Sequence, residues 1–126
     1  MKTIATPAQT MEREEFESIL INIGIKRNVA RVLIYLAGVG EATSREIEVG
    51  SDLRQPEVSI AMREIRRLDW VSERDEKNPG KGRPFRIYKL NRTLSEIVEI
   101  LEDEKDQESR FMMERIEKLR SLKSQV

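Results

Sequence analysis

Apolar residues recur along this chain at helical spacing in five places and at strand-like spacing in two. In residues 10–23, Phe16, Ile19, Leu20 and Ile23 share one helical face, Thr10 can cap its start, and Gly24 can stop it. Residues 26–37 predict a second helix. Val29, Val32, Leu33, Leu36 and Ala37 form its stripe and Ile34 and Tyr35 widen it, so this helix is expected to lie at the centre of the core, ended by Gly38 and Gly40. Thr43-Ser-Arg-Glu46 has the form of a capping box, which predicts a short helix over 44–49 and a turn at Gly50-Ser51-Asp52. Pro56, a residue suited to the first helical turn, starts the next helix, 56–68. Val58, Ala61, Met62, Ile65 and Leu68 fall on one side of that helix. Gln55, Ser59, Ile60, Arg63, Arg66 and Arg67 fall on the other.

Residues 70–75 and 85–90 (FRIYKL) carry strand-like content around a turn-rich tip, Asn78-Pro-Gly-Lys-Gly-Arg-Pro84, and read as a hairpin. Thr93-Leu-Ser-Glu96 is a second capping box, and a helix over 94–123 follows it. Its apolar stripe is interrupted by the polar run 102–110, which leaves open one helix or two. Residues 1–9, small and polar with Pro7, are expected to form a flexible arm.

Composition narrows the chemistry. With no Cys and no His among 126 residues, thiolate nucleophiles, disulfides and the commonest general base and metal ligand are all excluded. No GxxxxGK[ST] phosphate loop is present, and Pro79–Gly82 does not run into a helix start. Neither an enzyme nor a cofactor or metal is expected. No run approaches the ~20 apolar residues of a membrane span, and a cytoplasmic location is the expectation.

Net charge is zero, 23 basic against 23 acidic groups, but it is unevenly spread. Residues 51–92 hold 11 basic and 7 acidic groups, while residues 93–126 hold 6 basic and 9 acidic. One basic segment on a neutral chain points to an anionic partner that meets a single face.

The order helix, helix, short helix, turn, helix, basic hairpin resembles a winged helix-turn-helix domain. Residues 43–90, TSREIEVGSDLRQPEVSIAMREIRRLDWVSERDEKNPGKGRPFRIYKL, carry the resemblance. They are similar to the DNA-binding core of MarR-type, ArsR-type and TrmB-type regulators, and most of all to small archaeal predicted transcriptional regulators of that group. The resemblance implies a mainly α fold with a small β-hairpin wing: a winged helix-turn-helix over 10–92, with N- and C-terminal helices. It makes 44–49 a positioning helix, 56–68 a recognition helix and 76–86 the wing. The metal input of some ArsR-type sensors is not implied, because its Cys and His ligands are absent.

A helix of this kind fits the major groove, where Gln55 can pair with adenine, Arg63 with guanine, Ser59 with either, and Ile60 can meet a thymine methyl. Glu57 could accept from cytosine or favour the helix N-terminus. Arg66 and Arg67 suit phosphates. On the wing, Lys81-Gly82-Arg83-Pro84 can place Arg83 in a narrow minor groove, and its Gly-Arg-Pro string resembles the core of AT-hook peptides. Lys77, Lys81 and Arg86 would track the backbone. Ser44, Arg54, Pro56 and Gly82 complete the expected contact set. The expected function is sequence-specific double-stranded DNA binding by a transcriptional regulator. The alternative is a winged-helix protein–protein module of the transcription machinery, whose helix and wing would lack these basic groups.

The stripe Phe111, Met112, Ile116, Leu119 and Leu122 predicts a homodimer, with 93–126 as the dimerisation helix and Phe16, Leu20, Ile97 and Leu101 also at the interface.

Overall fold

Thr43 closes its capping box on both sides: its Oγ1 accepts from the Glu46 N–H at 3.2 Å, and the Glu46 carboxylate accepts from the Thr43 N–H at 3.0 Å. Around this start the computed structural model, which describes residues 7–77, 80 and 82–124, arranges five helices and three strands. The elements are α1 (Pro7–Asn22), α2 (Arg27–Val39), β1 (Glu41–Thr43), α3 (Ser44–Ser51), α4 (Gln55–Arg67), β2 (Val71–Glu76), β3 (Phe85–Leu90) and α5 (Leu94–Lys123). The chain divides into two units, residues 1–92 and 93–126.

In the first unit α2 is the central helix, packed against α1, α3 and α4. Val32, Leu33, Leu36, Ile47, Val58 and Ile65 are fully buried there. The α2 stripe differs from the expected one at its end. Ala30 is buried while Ala37, at nearly the same azimuth, is exposed. Periodicity reports the face of a helix, not where along its axis the covering elements stop. Helix α2 also runs through Gly38 and ends only at Gly40, whose φ of 87° suits glycine and whose N–H donates to the Leu36 carbonyl at 2.8 Å.

Helices α3 and α4 end in the same device. Asp52 and Asp69 adopt left-handed φ values of 54° and 62°. After α3, the Leu53 N–H donates to the Glu48 carbonyl at 3.0 Å. After α4, the Trp70 N–H donates to the Ile65 carbonyl at 3.2 Å. These are Schellman closures, and each turns a buried apolar residue, Leu53 or Trp70, into the core. The expected stop at Gly50 is corrected accordingly: Gly50 is helical, and Asp52 makes the turn. Gly50 is small for another reason. A Cβ there would lie 1.9 Å from Cε1 of Tyr35 on α2, so only glycine lets α3 approach α2 this closely.

Helix α1 begins at Pro7, so Thr10 lies inside the helix rather than at its cap, and residues 7–9 are helical rather than part of an arm. The remainder of that arm, residues 1–6, lies outside the described residues. The hairpin pairs antiparallel from Val71↔Leu90 to Glu76↔Phe85. A third strand joins it: Glu41–Thr43 pairs with β3 through Ala42↔Tyr88, giving the order β1-β3-β2. Three residues are too few to show alternation, so β1 left no readable pattern. The fold is a winged helix, mainly helical with a three-stranded antiparallel sheet.

The second unit is one continuous helix of 30 residues, α5, so the polar run 102–110 does not break it. Thr93 Oγ1 accepts from the Glu96 N–H at 3.1 Å at its start. No helix of the described residues is long and apolar enough to cross a membrane.

Candidate nucleic-acid interface

Helix α4 buries Val58, Ala61, Met62 and Ile65 and turns its other face outward. Gln55, Pro56, Ser59, Ile60, Arg63, Arg66 and Arg67 are all exposed, Ile60 at 61%. The helix opens one residue earlier than the proline suggests: Arg54 is the N-cap and Gln55 the first helical residue. Glu57 does structural work here. Its carboxylate accepts from the Arg54 N–H at 2.9 Å and from Asn28 Nδ2 at 3.5 Å, which closes the helix start and ties it to α2. That use favours the helix-terminus role over base reading.

The outward polar groups then sort by what holds them. Gln55 Nε2 donates to Ser59 Oγ at 2.9 Å, one turn along, so the two amide and hydroxyl groups occupy each other. Arg63 makes no hydrogen bond or ion pair to a described residue. Arg67 is clamped by both carboxylate oxygens of Glu64, at 2.5 and 3.1 Å. Those bonds hold the Glu64 carboxyl below the ordinary carboxylate value. Arg66 reaches from α4 to Glu73 on β2, at 2.5 Å.

Glu73 also faces Arg86 of β3, at 3.6 Å, and Arg86 meets Asp75 at 3.6 Å. The Glu73 carboxylate is the first cause, with Tyr88 and Asp75 after it, that raises Arg86 above the usual arginine value. One carboxylate therefore joins the end of α4 to the base of the wing. The helix face and one face of the hairpin, carrying Glu73, Asp75 and Arg86, lie side by side. Glu73 is the organising residue that reading the chain missed. Its partners sit 7 and 13 positions away on separate elements, and no local spacing signals them.

At the wing, Lys77, Gly82, Arg83 and Phe85 are exposed, and Gly82 has φ 145°, a conformation that favours glycine. Arg83 has no partner among the described residues. Lys81 lies outside them, as do residues 78 and 79. On the opposite sheet face Arg74 binds both oxygens of Glu41, at 2.7 and 2.9 Å, and this hydrogen bonding lowers the Glu41 pKa. Ser44, at the start of α3, is half-buried. Among the described residues no group of three acidic side chains could hold a metal ion.

Of the residues assigned to an interface between copies, Phe111, Met112, Ile116, Leu119 and Leu122 are 46–67% exposed. Phe16 is half-buried, while Leu20, Ile97 and Leu101 are already buried in the single chain.

No protein-family model matches the chain, and no curated protein sequence matches it. Solved structures do. TrmBL2, an archaeal chromatin protein that shows a novel mode of DNA binding, superposes with a TM-score of 0.67 at 16% identity, over 88% of this chain. This chain spans 40% of TrmBL2. A possible transcriptional regulator from Methanosarcina mazei Go1 matches with a TM-score of 0.64 at 10% identity, covering 93% of this chain and 96% of that one. A MarR family transcriptional regulator from Silicibacter pomeroyi matches with a TM-score of 0.53 at 16% identity, covering 79% and 67%. The structural neighbours are transcription regulators and a DNA-binding chromatin protein, and the likeness to them is one of fold.

Proposed function

We propose that this protein is a sequence-specific double-stranded DNA-binding transcriptional regulator. Helix α4 enters the major groove, and the wing contacts the adjacent minor groove and backbone. The observation that carries this reading is the state of the outward face. Ile60 and Arg63 are exposed with no structural duty, and Gln55 and Ser59 are engaged only with each other. Arg83 stands exposed on a wing whose base is joined to α4 through Glu73. Groups able to read base edges and a cation able to enter a minor groove are therefore carried on two elements joined through Glu73. The chain acts as a homodimer through α5, which supplies two α4 helices for two half-sites.

Binding of duplex DNA, measured by fluorescence anisotropy across a salt series, tests this. Each neutralised phosphate contributes about −0.9 to the slope of log K against log salt. Arg54 and Lys77 on phosphates then give roughly −2 per chain, whereas full release of Arg66, Arg67 and Arg86 from their carboxylates to phosphates would give about −4.5. Absence of binding at low salt would overturn the reading and favour a protein-binding winged helix.

A further inference from the structure

Helix α5 presents six large apolar side chains between Phe111 and Leu122 to solvent. At about 100° per residue, Phe111, Leu122, Leu119, Met112 and Ile116 span roughly 140° of one face. Two charged residues project into the middle of that face, Glu108 and Arg115. The Arg115 guanidinium lies over the Phe111 ring of its own chain, 4.8 Å from the centroid, and Glu108 is held by Lys105 at 3.3 Å. The helix is also polarised along its length. Residues 102–110 carry five acidic and two basic groups, while residues 113–121 carry two acidic and three basic.

We infer that the occupant of this face is a second copy of α5 running antiparallel, with the dyad between Phe111 and Met112. That register sets Phe111 against the second copy's Met112 at the centre. It sets each Glu108 against an Arg115, and each acidic block 102–110 against the basic block 113–121. Parallel pairing in register stacks Glu108 on Glu108, Arg115 on Arg115 and acid on acid, an arrangement that like-charge repulsion disfavours. The single pattern of charge within an apolar stripe thus fixes orientation, as polar positions do in helix pairs. This inference rests on the pairing of two copies and adds its direction and register.

The chain has no cysteine, so single cysteines at the exposed positions Glu99 and Lys118 can be spin-labelled in the full-length protein without side reactions. At 1.5 Å rise per residue, the antiparallel register separates paired labels by about 38 Å along the axis for position 99 and about 20 Å for position 118. Parallel pairing brings both pairs to roughly the interaxial distance of 8–10 Å, plus linkers. The long and intermediate pair supports the inference, and two short distances overturn the orientation while leaving the homodimer standing. Absence of any dipolar signal, with a monomer mass by light scattering, overturns both. In the same protein, Glu108→Arg sets Arg against Arg and is expected to weaken association about tenfold or more. Combining it with Arg115→Glu restores the opposite charges and the association. A double variant as weak as the single one overturns the register.

Discussion

Replacing Gly50 with alanine should destabilise the protein, although the local rule says the reverse. In the interior of a helix, glycine to alanine ordinarily gains about 1 kcal/mol. Here the new Cβ would sit 1.9 Å from Cε1 of Tyr35, 2.3 Å from Cδ1 and 2.4 Å from Cζ. Carbon atoms in contact rest about 3.5–4.0 Å apart, so the ring or the whole of α3 must retreat by more than an ångström. Overpacking of this kind costs roughly 1–3 kcal/mol, and a clash with three ring atoms rather than a chain end belongs at the upper part of that range. After subtraction of the helix-propensity gain, a net loss of about 1–2 kcal/mol is expected. For a unit of this size that lowers the melting temperature by several degrees, at about 4–8 °C per kcal/mol. Urea denaturation of Gly50→Ala, of Tyr35→Ala and of the double variant measures it. With the ring gone, the same Gly50→Ala change should become neutral or stabilising, which gives a coupling of roughly 1–3 kcal/mol between two residues in contact. If Gly50→Ala raises stability with Tyr35 in place, the close approach of α2 and α3 is not what selects glycine, and the argument fails.

Asp69 occupies a left-handed position, so Asp69→Gly should stabilise the end of α4 by about 0.5 kcal/mol; a lower urea midpoint would count against the Schellman closure. Arg63→Ala should relax sequence preference by about 1–3 kcal/mol at one base pair, whereas Arg83→Ala should weaken binding chiefly to duplexes with A·T-rich flanks. Competition assays with substituted duplexes separate the two, and indifference to both changes would refute the contact map. The Glu41 and Glu64 carboxyls are held below 4.5, first by hydrogen bonds from Arg74 and Arg67. Their contribution is therefore complete above that value and is lost as pH falls through the depressed values. With no histidine in the chain, the melting temperature should be level from pH 7 to 5.5 and fall below about 4.5. A fall between pH 7 and 5.5 would contradict this.

What could be read from the chain was local. The Thr43 box closes as expected because cap and partner are three residues apart and need nothing else, and Thr93 caps α5 through its hydroxyl. The two faces of α4 follow from a period that any helix obeys, and FRIYKL became β3 at its expected bounds. What could not be read depends on neighbours distant in sequence. Gly50 looks like a turn until Tyr35 is seen against it. Asp69 looks like an ordinary acid, and Asp52 only the last member of a turn signal, until a buried Leu53 and Trp70 require the chain to reverse at these residues. Three residues at Glu41–Thr43 become a strand only because β3 offers an open edge.

The same distinction separates the cations of the basic segment. Counting charge by segment gives a surplus over residues 51–92 but treats every arginine alike. The structure divides them: Arg66, Arg67, Arg74 and Arg86 are each opposite a carboxylate, and Arg63 and Arg83 are opposite none among the described residues. An exposed pair of this kind is worth little to stability, about 0–1 kcal/mol, so the four are not there chiefly to hold the fold together. They fix where cations stand. Arg66 and Arg86 converge on one Glu73 and keep the helix and wing in register, and with Asp75 also facing Arg86 the two arginines and two carboxylates form a charge-balanced cluster. A phosphate approaching that cluster meets preplaced donors without first ordering two long side chains, which lowers the entropy lost on contact. On this argument Glu73→Gln has opposing effects on affinity: it removes a negative charge yet frees Arg66 and leaves Arg86 held by Asp75 alone. A gain in affinity would mean that charge outweighs placement, and a loss would mean that the shared carboxylate is part of the interface.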